Sequence, residues 1–280
     1  MATPIGNLAD ISLRALHVLQ LVDCIACEDT RHTQGLLRSY GIDKTGAQLL
    51  ALHQHNEHEA AQTVVARLKM GQRIAYVSDA GTPGISDPGA RLVATVHGAG
   101  LRAIPLPGAS SITAVLSIGG ALGKGGADSG FVFAGFLPTK AGELGTAVEA
   151  LSKEARSVVL LEAPHRIADL AKALSALGQR QVTLGRELTK QYEEIVTLPA
   201  DEISTWLSAD SNRTRGEFVV MLHPATVAPD NGQPAELLKQ LLPLMPLKTA
   251  VRISTDITGV SRNAVYEMAL ALRQDIDLPR

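Results

Sequence analysis

The chain has 280 residues, a formal net charge of −2 and 45% hydrophobic residues, which is ordinary globular composition with room for two domains and a small third. Aromatic residues make up only 3%, which argues against a base-stacking platform, and the near-neutral charge confines any nucleic-acid contact to a local patch. No apolar run is long enough to span a membrane and no secretory signal is visible, so we expect a soluble cytoplasmic protein without a membrane partner.

The first hundred residues alternate between apolar runs and segments of helical periodicity. Leu13, Leu16 and Leu19 share one helix face, with Asp10 or Ser12 as the N-cap. Further helices are predicted near residues 34–40, 59–69 and 90–96, and strands at residues 24–27, 49–52, 73–77 and 101–106. This order predicts an α/β fold, in which ligands bind at the carboxyl ends of the strands.

Two small-residue turns follow predicted strands and precede predicted helices. Residues 78–89 read SDAGTPGISDPG, and Asp79 stands at the strand end. Glycine there permits positive φ and close approach of a ligand, but the dinucleotide spacing G-x-G-x-x-G is absent. Ser110 and Ser111 close the second turn, where helix N–H groups and hydroxyls suit a carboxylate or phosphate. The two turns are predicted to line one crevice.

Three other motifs are better explained by structure than by chemistry. Cys24 and Cys27 lie in a predicted strand without further cysteines, so buried reduced thiols are expected rather than zinc or redox chemistry. The histidines of residues 53–58 lack the H-E-x-x-H spacing, and no metal site is predicted. Residues 119–130 are glycine-rich but do not match the P-loop, which favours a connector between domains.

The second half continues the α/β pattern. Strands are predicted at residues 131–136, 157–161, 181–184, 193–198 and 216–222, with helices at 146–155, 168–177 and 201–208. Charged residues recur at the strand ends, and together they predict a basic rim facing the first domain: Lys140, Glu162, His165, Arg166, Arg186 and Lys190.

The end of the chain is predicted to be helical. A Pro/Gly/Asn/Asp linker at residues 225–234 precedes helices at 235–242, 248–255 and 262–272. The last two are joined by a short glycine turn with Ser261 as an N-cap, which is typical of a helix-turn-helix. Five basic residues against two acidic ones over residues 239–273 favour nucleic-acid binding and plain helix packing about equally.

Eight motifs occur in an order that resembles a known family. They are A-T-P-I-G-N-L (2–8), A-C-E-D-T-R-H (26–32), H-N-E (55–57), residues 78–89, P-L-P-G-A-S (105–110), G-F-L-P (135–138), P-H-R (164–166) and R-E-L-T-K (186–190). The chain thereby resembles the ribosomal RNA small subunit methyltransferase I family of the tetrapyrrole-methylase superfamily. One departure is that only Met1 precedes the first turn, so the first strand is expected to be short or to begin upstream.

The resemblance implies a two-domain tetrapyrrole-methylase-like α/β fold, with the cofactor cleft between the domains and a small C-terminal helix-turn-helix-like module. The implied boundaries are 1–108, 109–224, a linker at 225–234 and the module at 235–280. It also implies S-adenosylmethionine-dependent 2′-O-methylation of a cytidine ribose in the decoding region of small-subunit (16S) ribosomal RNA. The implied partners are that RNA or the assembled subunit, and a second copy in a homodimer.

Carried over residue by residue, the resemblance implies three groups. The cofactor would meet Pro4, Gly6, Asn7, Asp79, Gly81, Thr82, Pro83, Ser110, Ser111, Phe136 and Leu137. The candidates for base or orienting carboxylate are Glu28, Asp29 and Glu162, beside a mechanism by positioning alone. RNA contacts or electrostatic helpers would be Arg31, His32, Lys140, His165, Arg166, Arg186 and Lys190.

Two other functions compete with this hypothesis. A tetrapyrrole-type small-molecule methyltransferase would share the fold, but the helical module and the basic strand ends favour RNA. A nucleic-acid-binding regulator without turnover would bind duplex DNA through the last helices. The near-neutral charge and the weakly basic last helix speak against it.

Overall fold

The computed structural model describes residues 1–85, 89–120, 130–225 and 232–275. Its backbone contacts divide the chain into two compact units, Met1–Ala225 and Thr226–Arg280. Most of the predicted glycine-rich connector and most of the predicted linker lie outside the described residues. The finer boundary between residues 108 and 109 stays a prediction.

The first sheet of the larger unit has three parallel strands in the order β2-β1-β3. The strands are β1 (Cys24–Cys27), β2 (Leu49–Ala51) and β3 (Ile74–Val77). Its helices are α1 (Leu13–Leu21), α2 (Thr30–Ser39), α3 (Glu57–Lys69) and α4 (Gly89–Gly98). Ser12 caps α1 by accepting from Ala15 N at 3.1 Å, which decides between the two predicted caps.

Side chains of β1 alternate between two cores. Ile25 and Cys27 pack with α1 and α2, whereas Ala26 packs with α3 and α4. Both cysteines are buried and free, as predicted, and burial raises the pKa of both thiols. Helices therefore cover both faces of the parallel sheet, as such sheets require.

The second sheet has five strands in the order β4-β5-β8-β6-β7. They are β4 (Phe131–Gly135), β5 (Ser157–Glu162), β6 (Gln181–Arg186), β7 (Glu194–Pro199) and β8 (Phe218–Leu222). Strand β8 is antiparallel to both β5 and β6, and β4 is parallel to β5. Strands β4, β5 and β6 therefore run in one direction, and their carboxyl ends meet at one edge.

The two faces of this sheet pack against different partners. Val158 and Leu160 face a core shared with α6 (Ala141–Leu151), α7 (Ile167–Leu174) and α8 (Ile203–Ser208). Val159 faces α5 (Ser111–Gly119) and Ile5 of the N-terminal turn. A fully buried side chain of this kind contributes about 1.5–3 kcal/mol, so the second core fastens the N-terminal segment to the second sheet.

The predicted strand at residues 101–106 is wrong. Residues 101–110 have neither helical nor ladder hydrogen bonding, and Ile104 is 63% exposed. Pro105 and Pro107 lack the N–H groups that a ladder needs, which explains why an apolar run remains an extended connection here. Ala2 N donates to the carbonyl of Leu106 at 3.2 Å.

The smaller unit contains α9 (Gly232–Leu241), α10 (Leu247–Thr258) and α11 (Arg262–Asp275), around a core that includes Leu238 and Val265. Gly259 ends α10 with φ +66°, and Ser261 Oγ accepts from Ala264 N at 3.4 Å. The glycine turn and serine cap are as predicted. Across the ranges that the structure describes, no helix is long and apolar enough to cross a membrane.

Candidate active site

The carboxyl ends of β1 and β3 are joined by reciprocal hydrogen bonds. Asp79 N donates to Glu28 Oε1 at 3.3 Å, and Asp29 N donates to Asp79 Oδ1 at 3.3 Å. Parallel neighbours place both loops at the same edge of the sheet. The structure therefore brings Asp79 next to the adjacent pair Glu28 and Asp29, which lie 51 and 50 positions earlier in the sequence.

Asp29 is the least available of these carboxylates. Its Oδ1 caps α2 by accepting from Arg31 N at 2.7 Å and from His32 N at 3.3 Å. The Arg31 guanidinium also pairs with Oδ2 at 3.3 Å, and these hydrogen bonds hold the pKa of Asp29 below its usual value. A carboxylate that caps a helix and binds a cation is a weak proton acceptor.

A cleft of about 220 Å³ opens beside these loops. Six of its lining residues are named site candidates from the sequence: Glu28, Asp79, Gly81, Thr82, Ser110 and Ser111. Three more belong to the predicted 78–89 turn, namely Ser78, Ala80 and Ile85, and the remaining three are Ile5, Ile112 and Leu161. Acidic groups, hydroxyls and apolar side chains thus line the same cleft.

Close backbone packing fixes the walls of this first cleft. Thr3 and Gly81 exchange two backbone hydrogen bonds, at 3.0 and 3.1 Å, and Thr82 Oγ1 donates to the carbonyl of Ala109 at 2.9 Å. Gly81 has φ +81°, and a Cβ there would lie 3.1 Å from Ile5 Cγ2. Both predicted turns are therefore tied to each other and to the N-terminal turn.

A second cleft of about 300 Å³ shares Ile5, Ser111 and Leu161 with the first. It lies where β4, β5 and β6 end and β8 begins. Its remaining walls are mostly apolar and are formed by Phe136, Glu162, Ala163, Pro164, Gly185, Leu188, Glu217, Phe218 and Val219. Of the predicted cofactor residues at this edge, Phe136 lines the cleft, while the Leu137 side chain is buried in the core.

Glu162 is a buried carboxylate in the wall of the second cleft. Its Oε1 accepts from Ala163 N at 2.8 Å. Its Oε2 lies 3.3 Å from Arg166 Nη2, yet among the described residues it has no hydrogen bond of good geometry. The ion pair offsets the charge, and Oε2 keeps an unused lone pair although the side chain is only 1% exposed.

The predicted RNA-contacting residues divide into two groups. The Arg31 side chain is 91% exposed and that of Lys140 is 80% exposed, and His32 and His165 are also exposed. The other three bind within the protein. Arg166 donates to the carbonyls of Leu137 and Pro138, Arg186 donates to those of Arg215 and Tyr192, and Lys190 binds Glu187 and Glu217.

Leu188 and Glu217 are two of the site residues that sequence reasoning missed. Glu217 precedes β8, and the β5–β8 register sets Phe218 opposite Glu162. No local motif carries that pairing, so only the strand order reveals it. The histidines at residues 53–58 follow β2 of the first sheet, and no metal-binding group of His, Cys, Asp or Glu occurs in the described ranges.

Two family models match the chain. The model for Tetrapyrrole (Corrin/Porphyrin) Methylases matches residues 2–204, and the RsmI C-terminal HTH domain matches residues 228–273. Ribosomal RNA small subunit methyltransferase I of Escherichia coli O157:H7 is 45% identical over 273 residues, 96% of this chain and 92% of the relative. The protein of the same name from Neisseria meningitidis serogroup B is 42% identical over 275 residues, 97% and 92%.

The chain belongs to the ribosomal RNA small subunit methyltransferase I family. This membership confirms the predicted resemblance. It also confirms the prediction of a methyltransferase that uses S-adenosylmethionine and acts on RNA. A cobalt precorrin-4 methyltransferase structure matches with a TM-score of 0.56 and 16% identity, covering 80% of this chain and 92% of that one. A Thermus thermophilus uroporphyrin-III C-methyltransferase with S-adenyl homocysteine has a TM-score of 0.50 and 15% identity, covering 79% and 94%. At such identities these structures confirm the fold alone.

The donor set of the two clefts fits the cofactor of this methyltransferase family. S-adenosylmethionine carries an ammonium, a sulfonium, a carboxylate, a ribose diol and an adenine ring. The carboxylates of Glu28 and Asp79 complement the cationic groups and the hydroxyls. The first turn of α5 offers N–H groups near Ser110 for a carboxylate. The apolar second cleft suits a flat ring.

Asp79 provides the first test of this family site. Replacing Asp79 by Asn preserves an oxygen that accepts from Asp29 N, so we expect an unchanged melting temperature. Loss of the charge should weaken binding of S-adenosylhomocysteine by about 10-fold or more, since hydrogen bonds to charged groups contribute about 1.5–3 kcal/mol. Isothermal titration calorimetry measures this. Asp43→Asn, an exposed surface change, is the control, and equal affinity in both variants would remove Asp79 from the site.

Proposed function

We propose that this enzyme transfers a methyl group from S-adenosylmethionine to the 2′-hydroxyl of a cytidine ribose in the decoding region of small-subunit ribosomal RNA. The observation that carries the proposal is the pair of adjacent clefts in a chain of this family. One cleft is acidic and hydroxylated, the other is apolar, and they share Ile5, Ser111 and Leu161. The amino-acid end of the cofactor would lie in the first cleft and its adenine in the second.

The turn before α5 supports this placement of the amino-acid end. Ser110 is the N-cap of α5, and its hydroxyl makes no capping hydrogen bond to the helix. The hydroxyl and the first N–H groups of the helix are therefore available to a carboxylate, which the helix dipole also favours. Asp79 lines the same cleft, where it would hold the ammonium or the ribose hydroxyls of the cofactor.

The cofactor supplies an electrophilic methyl group on a positively charged sulfur. Attack by the 2′-oxygen forms a C–O bond as the C–S bond breaks, and the hydroxyl proton must leave. Among the three candidate bases, Glu28 lines the first cleft, Asp29 caps α2 and Glu162 lines the second cleft. We therefore assign proton acceptance to Glu28. We assign Glu162, which lines the second cleft and whose Oε2 has an unused lone pair, to orienting a hydroxyl or amino group there.

The exposed side chains at the strand ends form the proposed RNA surface: Arg31, His32, Lys140 and His165. They are free to move to a phosphate, although Arg31 and Lys140 pair with Asp29 and Glu143 at the surface. Exposed ion pairs of this kind contribute little to stability, and the cation readily leaves its carboxylate for a phosphate.

The assembled small subunit or its RNA is the proposed substrate, in the cytoplasm. We also propose a homodimer, and a monomer in sedimentation velocity would contradict it.

Methyl transfer tests the proposal directly. We expect the enzyme to transfer label from methyl-labelled S-adenosylmethionine to unmodified small ribosomal subunits, at one cytidine 2′-oxygen. Subunits already methylated there serve as the control and should accept no label. Label on a base, or on an added tetrapyrrole instead of the RNA, would contradict the proposed reaction.

Glu28→Gln should lower kcat more than it raises the KM for the cofactor.

Arg31 and Arg166 are expected to behave oppositely. Arg31→Ala removes an exposed cation, so RNA affinity should fall and the slope of log affinity against log salt should shrink by about one, with stability unchanged. Arg166 is 19% exposed and pairs with buried Glu162, so Arg166→Ala should cost about 3–5 kcal/mol of stability and leave the salt slope unchanged. Filter binding at two salt concentrations and urea unfolding measure both. A reduced salt slope for Arg166→Ala would make it an RNA contact.

A further inference from the structure

The turn after β6 has an unusual backbone. Glu187 has φ +51° and Thr189 has φ +67°, and these are the positive-φ residues other than glycine within the described part of the chain. A β-branched residue such as threonine rarely adopts this region, because its Cβ substituents crowd the backbone. Such strain persists only where surrounding contacts hold the turn in place.

Ionic contacts with the residue that precedes β8 hold the turn. Glu187 Oε1 accepts from Lys190 Nζ at 2.8 Å and from Glu217 N at 2.8 Å. Lys190 Nζ also lies 3.1 Å from Glu217 Oε2. Burial opposes ionisation of both groups, but the hydrogen bonds outweigh it, so the pKa of Glu187 is lowered and that of Lys190 is raised. The pair therefore stays charged at neutral pH.

The turn presses against the N-terminal segment. Asn7 N donates to Thr189 Oγ1 at 3.2 Å across 182 positions of sequence. A Cβ on Gly6 would lie 2.3 Å from Lys190 Cγ and 2.9 Å from Thr189 Oγ1. Only glycine fits this contact without displacement of the turn, so residues 187–190 fix the position of Gly6 and Asn7.

Both partners of this contact are next to the proposed cofactor site. Ile5, adjacent to Gly6, lines both clefts, and Leu188 lines the second cleft. Ile5 and Leu188 also share one apolar core. A shift of the 187–190 turn would therefore move a wall of each cleft.

We propose that residues 187–190 form a clamp that sets the Ile5 wall of the cofactor cleft, and that Lys190 is its positioning residue. This inference rests on the proposed cofactor site. It replaces the prediction that Lys190 contacts RNA. The Lys190 side chain is only 28% exposed and faces two carboxylates, so its local group with Glu187 and Glu217 carries one net negative charge and would repel a phosphate.

Lys190→Met tests the clamp, because methionine preserves the length of the side chain and removes its charge. We expect the Kd for S-adenosylhomocysteine to rise on the order of tenfold, as small displacements of a site wall do. RNA affinity and its salt slope should not change. Lys172→Met, on an exposed position of α7, is the matched control. Calorimetry and filter binding are run well below the melting temperature of each variant.

The opposite results are distinguishable. An unchanged Kd for S-adenosylhomocysteine with a lower melting temperature would make Lys190 merely structural and overturn the proposal. A weaker, less salt-dependent RNA affinity with unchanged Kd would restore the RNA contact and overturn it too. If the wild-type enzyme itself did not bind S-adenosylhomocysteine, the proposed cofactor site would fail, and the clamp with it.

A double-variant cycle keeps the test valid if Lys190→Met does not fold. Gly6→Ala should weaken S-adenosylhomocysteine binding, since the new methyl group meets Lys190 Cγ. Lys190→Ala removes that atom, so the double variant should lose less affinity than the product of the two single losses. A loss equal to that product would show that Gly6 and Lys190 act independently and would contradict the clamp.

Discussion

The close packing of the N-terminal turn against three other loops is the constraint on which the larger unit depends. Thr3 is hydrogen-bonded to Gly81 through the backbone, Ala2 packs closely against Gly108, and Gly6 packs closely against Lys190. A Cβ on Gly108 would lie 2.9 Å from Ala2 Cβ, which is closer than real Cβ contacts. Glycine on one side of each contact lets backbones meet, so a few residues join two sheets that share no strand.

The direction of the strands explains why one edge of the second sheet carries the chemistry. The sheet is mixed, yet β4, β5 and β6 are parallel to one another because β8 is antiparallel to both of its neighbours. Their ends therefore present Phe136, Glu162 and Leu188 to the same cleft. The parallel first sheet brings Glu28 and Asp79 to its own carboxyl edge, and the N-terminal turn connects the two edges.

Much of the fold and part of the site are predictable from the sequence, because the patterns that reveal them lie within short continuous segments. Strand–turn–helix patterns are continuous in sequence, so the turns near Asp79 and Ser110 are visible without any knowledge of pairing. Residues such as Glu217 enter the cleft through strand order, which no short motif encodes. The prediction of a strand at residues 101–106 is wrong because it rests on apolar content alone. Two prolines at or next to this segment lack the N–H groups that ladder hydrogen bonds need.

The role of an isolated basic residue is difficult to predict from the sequence. An arginine after a strand has the same local sequence whether its side chain is exposed or hydrogen-bonded within the protein. The structure separates them: Arg166, Arg186 and Lys190 hold loops together, while Arg31 extends into solvent. This sorting has an electrostatic consequence for the proposed reaction. The cleft wall carries carboxylates, which attract a sulfonium and repel phosphate, whereas the unburied cations lie outside it. A polyanionic RNA would therefore be held by its phosphates at the rim, and only an uncharged ribose would approach the acidic cleft.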